Sequence, residues 1–240
     1  MLLWIIAALA AFFIKGLCGF ANTLVFTSIL SFASDNVNIT PVELVTGFPS
    51  NLILTLRNRE KLQPKVFLPL AVLVLLGSIP GAFLLKNADT GILKIVFGAV
   101  VVLAGVEMLV REYHKKEARM RPVLLGVLGF LSGILCGLFG VGALLAAYVS
   151  RVTDSSGSFK ANISAVFIAD NLFRIILYSV IGIITLPVLK QVLILLPFML
   201  IGLFAGMLLA KHLNEQLIKK LVILLLIVSG IALILNQLLA

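Results

Sequence analysis

The 240-residue chain is 61% hydrophobic and only 12% charged, with a formal net charge of +9. Soluble domains carry about 25% charged residues, so a water-soluble domain is excluded and a polytopic membrane protein is expected. A nucleic-acid partner is excluded too, because no basic stripe lies on an amphipathic helix and the excess Lys and Arg falls in short loops between apolar runs.

In chain order, the apolar segments are 2–14, 17–33, 41–57, 66–85 and 91–110, then 122–136, 138–150, 161–181, 188–210 and 220–239. All are expected to be helical, since a segment in lipid must satisfy its own backbone. The first lacks a basic leader and reads as retained. The third, fourth and fifth of each set are long enough to cross a hydrocarbon core of about 30 Å. The first two of each set are short, joined at Lys15-Gly16 and at Cys136-Gly137, and predict the arms of a Gly-rich hairpin that dips into the membrane.

The two sets are copies. Gly16-Leu17-Cys18-Gly19-Phe20 returns as Gly137-Leu138-Phe139-Gly140-Val141, and Ser50-Asn51-Leu52 as Asp170-Asn171-Leu172. Gly77-x3-Gly81-x4-Lys86 returns as Gly202-x3-Gly206-x4-Lys211. Residues 1–110 thus read as a first membrane repeat, 111–121 as a hydrophilic cytoplasmic connector and 122–240 as a second repeat. The expected fold is all-α, two repeats of five segments with about 8 to 10 membrane segments in total. If each hairpin returns to its own side, the halves are inverted, and loops 57–65, 111–121, 151–160 and 211–220 hold 14 basic residues inside against 3 outside. A parallel arrangement would give 10 against 7, so the positive-inside rule favours inversion.

Charges at membrane depth mark function or need a partner. Lys15 precedes Gly16 and Gly19, where a helix starting at the hairpin turn would aim free amides at the same point. Gly137, Gly140 and Gly142 repeat that opening in the second half. Asp170 and Arg174 share a helix face four residues apart. An anion would compete with Asp170 for Arg174, making Asp170 the expected proton-coupling group. Asn22, Asn51 and Asn171 are the amides expected to orient substrate oxygens or to bond across helices. The Gly-x3-Gly pairs are expected to serve close helix packing, and Cys18 and Cys136 to be small packing residues. His114 and His212 fall in loops, and no metal-ligand cluster, cofactor motif or nucleophile elbow is present in the sequence, so no cofactor, no metal and no enzymatic activity are expected.

With these motifs in order, the chain resembles the sulfite exporter TauE/SafE family of membrane permeases. The resemblance rests on Gly16-Leu17-Cys18-Gly19-Phe20, on Gly129-Phe130-Leu131-Ser132-Gly133 running to Gly140-Val141-Gly142, and on Leu84-Leu85-Lys86 with Leu208-Leu209-Ala210-Lys211. It departs from the family pattern at Phe20-Ala21-Asn22, where further glycines are common. The resemblance implies transport of a small anion such as sulfite or an organosulfonate across the bacterial cytoplasmic (inner) membrane by a multi-pass protein. The partners expected are that anion and the lipid bilayer, with a homodimer left open. A non-transporting membrane assembly subunit and a passive anion channel are the alternatives.

Overall fold

The computed structural model describes residues 1–30, 34, 36–87, 122–139, 142–153 and 155–238, together with 95, 96, 98, 99, 102, 103, 105–107, 109 and 110. The connector 111–121 and Gly140 lie outside the described residues. Among those described, the regular structure is helical, without strands: α1 (Leu2–Cys18), α2 (Asn22–Leu30), α3 (Asn36–Arg57), a 3₁₀ turn (Arg59–Lys61), α4 (Pro64–Asn87), α5 (Pro122–Phe139), α6 (Ala143–Val152), α7 (Ser156–Val180), α8 (Leu186–Ala210) and α9 (Glu215–Leu238). The described residues between 95 and 110 are helical as well.

Among the described residues four stretches are long and apolar enough to cross a membrane, Asn38–Arg57, Pro64–Gly81, Ser156–Val180 and Leu186–Ala210. They are the third and fourth helices of each half. Leu68, Val72, Leu76, Ile79 and Phe83 recur at three- and four-residue steps on the exposed side of α4, the stripe expected where a helix meets lipid.

The short first helices run further than sequence suggested. α1 continues through Lys15 and Gly16 and stops at Gly19, which is left-handed (φ 89°) and returns its N–H to the Lys15 carbonyl at 2.6 Å. Glycine takes that conformation at little cost, which is why the helix ends there. Ala21 is also left-handed, at φ 69°, and α2 begins one residue later. The chain then folds back, bringing the rings of Trp4 and Phe26 to 5.8 Å in an edge contact. A collinear continuation of α1 would leave those residues roughly 33 Å apart at 1.5 Å per residue. The turn of the hairpin is therefore at 19–21, not at Lys15-Gly16. Similarly, α5 passes through Cys136 and Gly137 to Phe139, and α6 starts at Ala143.

Each half grips the other by equivalent surfaces. α1 packs along α8 and α5 along α4, the two most extensive helix pairs, with α3 against α7 next. Glycines set the closeness. A Cβ at Gly206 would strike the Phe13 carbonyl and lie 3.0 Å from the Leu17 nitrogen, and one at Gly202 would meet the backbone of Leu9 and Phe13. Because partner numbers rise together, α1 and α8 run in the same direction. On the other seam Gly77 faces Phe130 and Gly133, and Gly81 faces Ile134 and Gly137, again in rising order. The Gly16–Gly206 contact and the Gly137–Gly81 contact are repeat equivalents, and a Cβ at Gly16 or at Gly81 would sit 3.0 Å from the partner glycine's Cα. Gly98 and Gly230 meet reciprocally, each with a hypothetical Cβ within 2.8 Å of the other's carbonyl; Gly98 reaches on to Ile234 and Gly230 back to Val102. That order means the two stretches run antiparallel.

Two further contacts tie loop ends together. Lys61 lies against Gly157, its carbonyl accepts from Ser158 and Asn162, and Asn162 Oδ1 accepts from the Gln63 N–H at 2.9 Å. Arg57 at the end of α3 donates toward Met207 Sδ near the end of α8 at 3.9 Å. The segment 151–160 is not wholly a loop. Ser155 caps α7 by accepting from the Ser158 N–H at 3.2 Å, as Ser does at helix starts, and Lys160 is buried inside α7.

Candidate functional site

Between α1, α3 and α7 the interior holds charge. Lys15 and Arg174 are each 1% exposed, Asp170 1% and Glu43 4%. Lys15 and Glu43 come from the first half, Asp170 and Arg174 from the second. Arg174 Nη1 pairs with Asp170 Oδ2 at 3.6 Å, one helical turn apart. Its Nη2 donates to the Tyr178 hydroxyl at 3.4 Å, and that hydroxyl donates to the Gly137 carbonyl at 3.0 Å. The guanidinium also lies 5.3 Å from the Tyr178 ring centroid, within cation–π range. The Ser78 hydroxyl donates to Asp170 Oδ1, with the Gly133 carbonyl 3.2 Å away as a second acceptor. These contacts engage two of the three Arg174 nitrogens, Nη1 as an ion pair only, since Asp170 Oδ2 has no hydrogen-bond partner among the described residues. Nε has no hydrogen-bond partner among the described residues.

Lys15 is placed differently. Its Nζ is 6.0 Å from the ring centroids of Phe12 and Phe167. It interacts electrostatically with Glu43, and Glu43 in turn with Arg174, so one carboxylate feels both buried cations. Among the described residues the direct ion pair of this region is Asp170–Arg174. Glu43 accepts hydrogen bonds from the Asn22 amide and the Thr23 hydroxyl at the start of α2. Gly47, one turn along α3, leaves room for that cluster: a Cβ there would lie 3.3 Å from Glu43 Oε1 and 3.4 Å from Asn22 Nδ2.

The depths agree. Glu43 is fourteen residues before Arg57 and Asp170 fourteen after Ser156, each roughly 21 Å of helix from ends that lie on one side of the molecule. Further along α3, Thr46 Oγ1 and Asn51 Oδ1 are buried without hydrogen-bond partners among the described residues, as is Ser164 Oγ on α7. An unsatisfied buried polar atom costs about 1–3 kcal/mol. Each such atom calls for an explanation, a water or ion held there being one.

Of the residues singled out in sequence, Lys15, Asn22, Asp170 and Arg174 belong to this charged zone, and Asn51 and Asn171 are buried on the facing helices. Two assignments need correction. Gly16 and Gly137 do not start helices; they lie within α1 and α5, their amides are helical, and they serve the seams between halves. Lys15 therefore sits in the last turn of α1, at the negative end of its dipole, where a cation is favoured. Gly19 forms the turn, with Lys160 packed against it and Lys160 Nζ donating to the Gly16 carbonyl at 3.2 Å. Gly142 immediately precedes α6 and abuts the Phe167 ring, leaving no space for a side chain. Cys18 and Cys136 are buried thiols in the apolar core, and His212 is exposed.

Sequence reasoning passed over Glu43, Ser78, Tyr178 and Lys160. Starting α3 at residue 41 put Glu43 at a helix end, whereas α3 starts at Asn36 and carries it two turns inward. Tyr178 is four residues beyond Arg174 and so shares its face. The Asp-Ser-Ser-Gly-Ser run at 154–158 is a capping sequence that signals an early start for α7, and hence the burial of Lys160.

Among the described residues, then, an all-helical membrane protein brings buried charges of both signs together in its interior. A family model described as Sulfite exporter TauE/SafE matches residues 3–233. The chain belongs to the sulfite exporter TauE/SafE family and is thus a membrane transporter of that type. No curated protein and no solved structure matches it.

Proposed function

We propose that the protein is a secondary transporter that carries a small anion, sulfite or an organosulfonate, across the bacterial cytoplasmic membrane by alternating access between two inverted halves. The observation that carries this reading is the burial of Lys15 and Arg174, one from each half, within electrostatic reach of the same carboxylate, Glu43. In this reading the anion lies between the Lys15 ammonium and the open Nε of Arg174. Asp170 and Tyr178 keep the guanidinium plane fixed rather than being displaced from it, and a planar fork is the better match for oxyanions. Asn51, Asn171 and Thr46 line the facing helices and orient oxygens. Flux is coupled to protons through the buried carboxylates.

Inversion is supported by three contacts. A parallel arrangement would separate loop 57–65 from loop 151–160, and the end of α3 from the end of α8, yet both pairs touch. A two-fold axis along the membrane normal would make Gly98 and Gly230 meet on parallel helices, whereas their helices run antiparallel. An axis in the membrane plane accommodates all three.

The test is binding. Sulfite should raise the melting temperature of the detergent-solubilised protein, by an amount corresponding to about 2.7 kcal/mol at a hundredfold excess over Kd. Arg174→Lys keeps the charge beside Asp170 but loses the fork, and should weaken sulfite at least about tenfold, roughly 1.4 kcal/mol. A wild-type protein indifferent to sulfite, sulfonates and carboxylates alike would favour an assembly subunit instead.

A further inference from the structure

The four charges that act on one another here are balanced, while Lys160, also buried, acts on the Gly16 carbonyl and Cys18 instead. Two cations, Lys15 and Arg174, and two carboxylates, Glu43 and Asp170, are each no more than 4% exposed. Any anion admitted to such a site adds an uncompensated charge where water is excluded, and a buried net charge is costly. Some group must take up a proton as the anion binds.

The surroundings of the two carboxylates decide which one. Asp170 is in direct contact with Arg174, as an ion pair at 3.6 Å, and accepts from the Ser78 hydroxyl. Protonating it would give up the ion pair that orients the guanidinium. Glu43 has no cation in direct contact among the described residues. The groups facing it are Lys15 from α1, Asn22 and Thr23 from α2 and Arg174 from α7, with the Cys136 thiol of α5 within electrostatic range. The described buried residues of α8 are apolar or glycine. Its immediate partners are thus neutral, and the Thr23 hydroxyl can donate to a carboxylate or accept from a carboxylic acid without moving. Glu43 can change protonation state and keep that hydrogen bond.

Resting on the transport reading above, we infer that Glu43 is the proton acceptor of the cycle: binding of an anion between Lys15 and Arg174 drives uptake of one proton from solvent onto Glu43. A negative ligand placed near a carboxylate disfavours its charged form, and the added proton restores neutrality. One singly charged anion, such as hydrogensulfite, and one proton bind together, giving a loaded site with the same net charge as the empty one. The role expected from sequence for Asp170 passes to Glu43, and Asp170 becomes a positioning residue.

Infrared difference spectroscopy on the intact protein in liposomes, with sulfite as the probe, tests this directly. Sulfite has no carbonyl, so a carboxylic-acid C=O band arising on its addition reports protein protonation. The expected result is such a band in wild type, lost in Glu43→Gln and kept in Asp170→Asn. If Glu43→Gln does not fold, as judged by circular dichroism, Asp170→Asn decides, read at sulfite concentrations that stabilise that variant against heat: a retained band supports Glu43, and a lost band makes Asp170 the acceptor and overturns the inference. Sulfite-dependent thermal stabilisation with no band in wild type overturns the inference while leaving the permease intact. No stabilisation by sulfite at all removes both.

Discussion

Thr46 and Asn51 separate function from stability at the level of single side chains. Their oxygens are buried and unpartnered, so Thr46→Val removes a desolvation penalty without opening a cavity. It should leave the melting temperature unchanged or raise it, by up to about 1 kcal/mol, while weakening sulfite in a binding titration. A loss of stability would mean that the hydroxyl serves the fold. Ala21 offers the opposite case. Its left-handed backbone (φ 69°) costs a residue with a Cβ about 1 kcal/mol, and Ala21→Gly should raise the midpoint of thermal unfolding by a corresponding few degrees. Sequence reasoning reached Lys15, Asn22, Asp170 and Arg174 because a charge or amide amid apolar residues is conspicuous. It missed Glu43 and Lys160 because both hinge on where a helix begins, and capping moves that boundary by a turn or more.

Between elements, glycine decides how near two helices come. Gly206 and Gly81 occupy equivalent places on the two seams, and a Cβ on either would strike backbone rather than a movable side chain. Gly206→Val and Gly81→Val should each force α1 from α8 or α5 from α4 and cost several kcal/mol, on the order of a severe overpacking change. The check is the yield of monodisperse protein after solubilisation. A Cβ at Gly126 would have nothing within 4 Å of it, and Gly126→Ala should be neutral or stabilising by up to about 1 kcal/mol through helix propensity. The role of the Gly-x3-Gly pairs was legible in sequence, because small residues at that spacing have one common use in membranes. The role of Gly16 and Gly137 was not, because the same residues also suit a turn, and only the direction of the neighbouring helices separates the two uses.

Taken as a whole, the two sets of helices read from the sequence as repeats are joined crosswise, first helix to fourth and third to third. Its orientation can be read by labelling. Single cysteines replacing Glu60, Ser155 and His212 should react with a membrane-impermeant maleimide from the same side, and one replacing Lys190 from the other. Reaction of positions 60 and 155 from opposite faces would contradict the Lys61–Ser158 contact. The duplication marked which segments correspond, and the labelling tests what the loop charges imply of orientation. The crosswise pairing was not visible, since a repeat reveals which segments are alike but not which of them touch.

That crosswise pairing has a consequence in time as well as in space. During synthesis α5 emerges after α4 and finds its partner waiting, whereas α1 is made early and its partner α8 comes almost last. Until then the nascent chain must keep Lys15 in or near the bilayer without its final surroundings, against an insertion cost of about 2.5–3.5 kcal/mol for a lysine at the membrane centre. Two seams alike in the finished protein are thus closed at different stages of synthesis, one between helices near each other in the chain and the other only across most of the helices between α1 and α8.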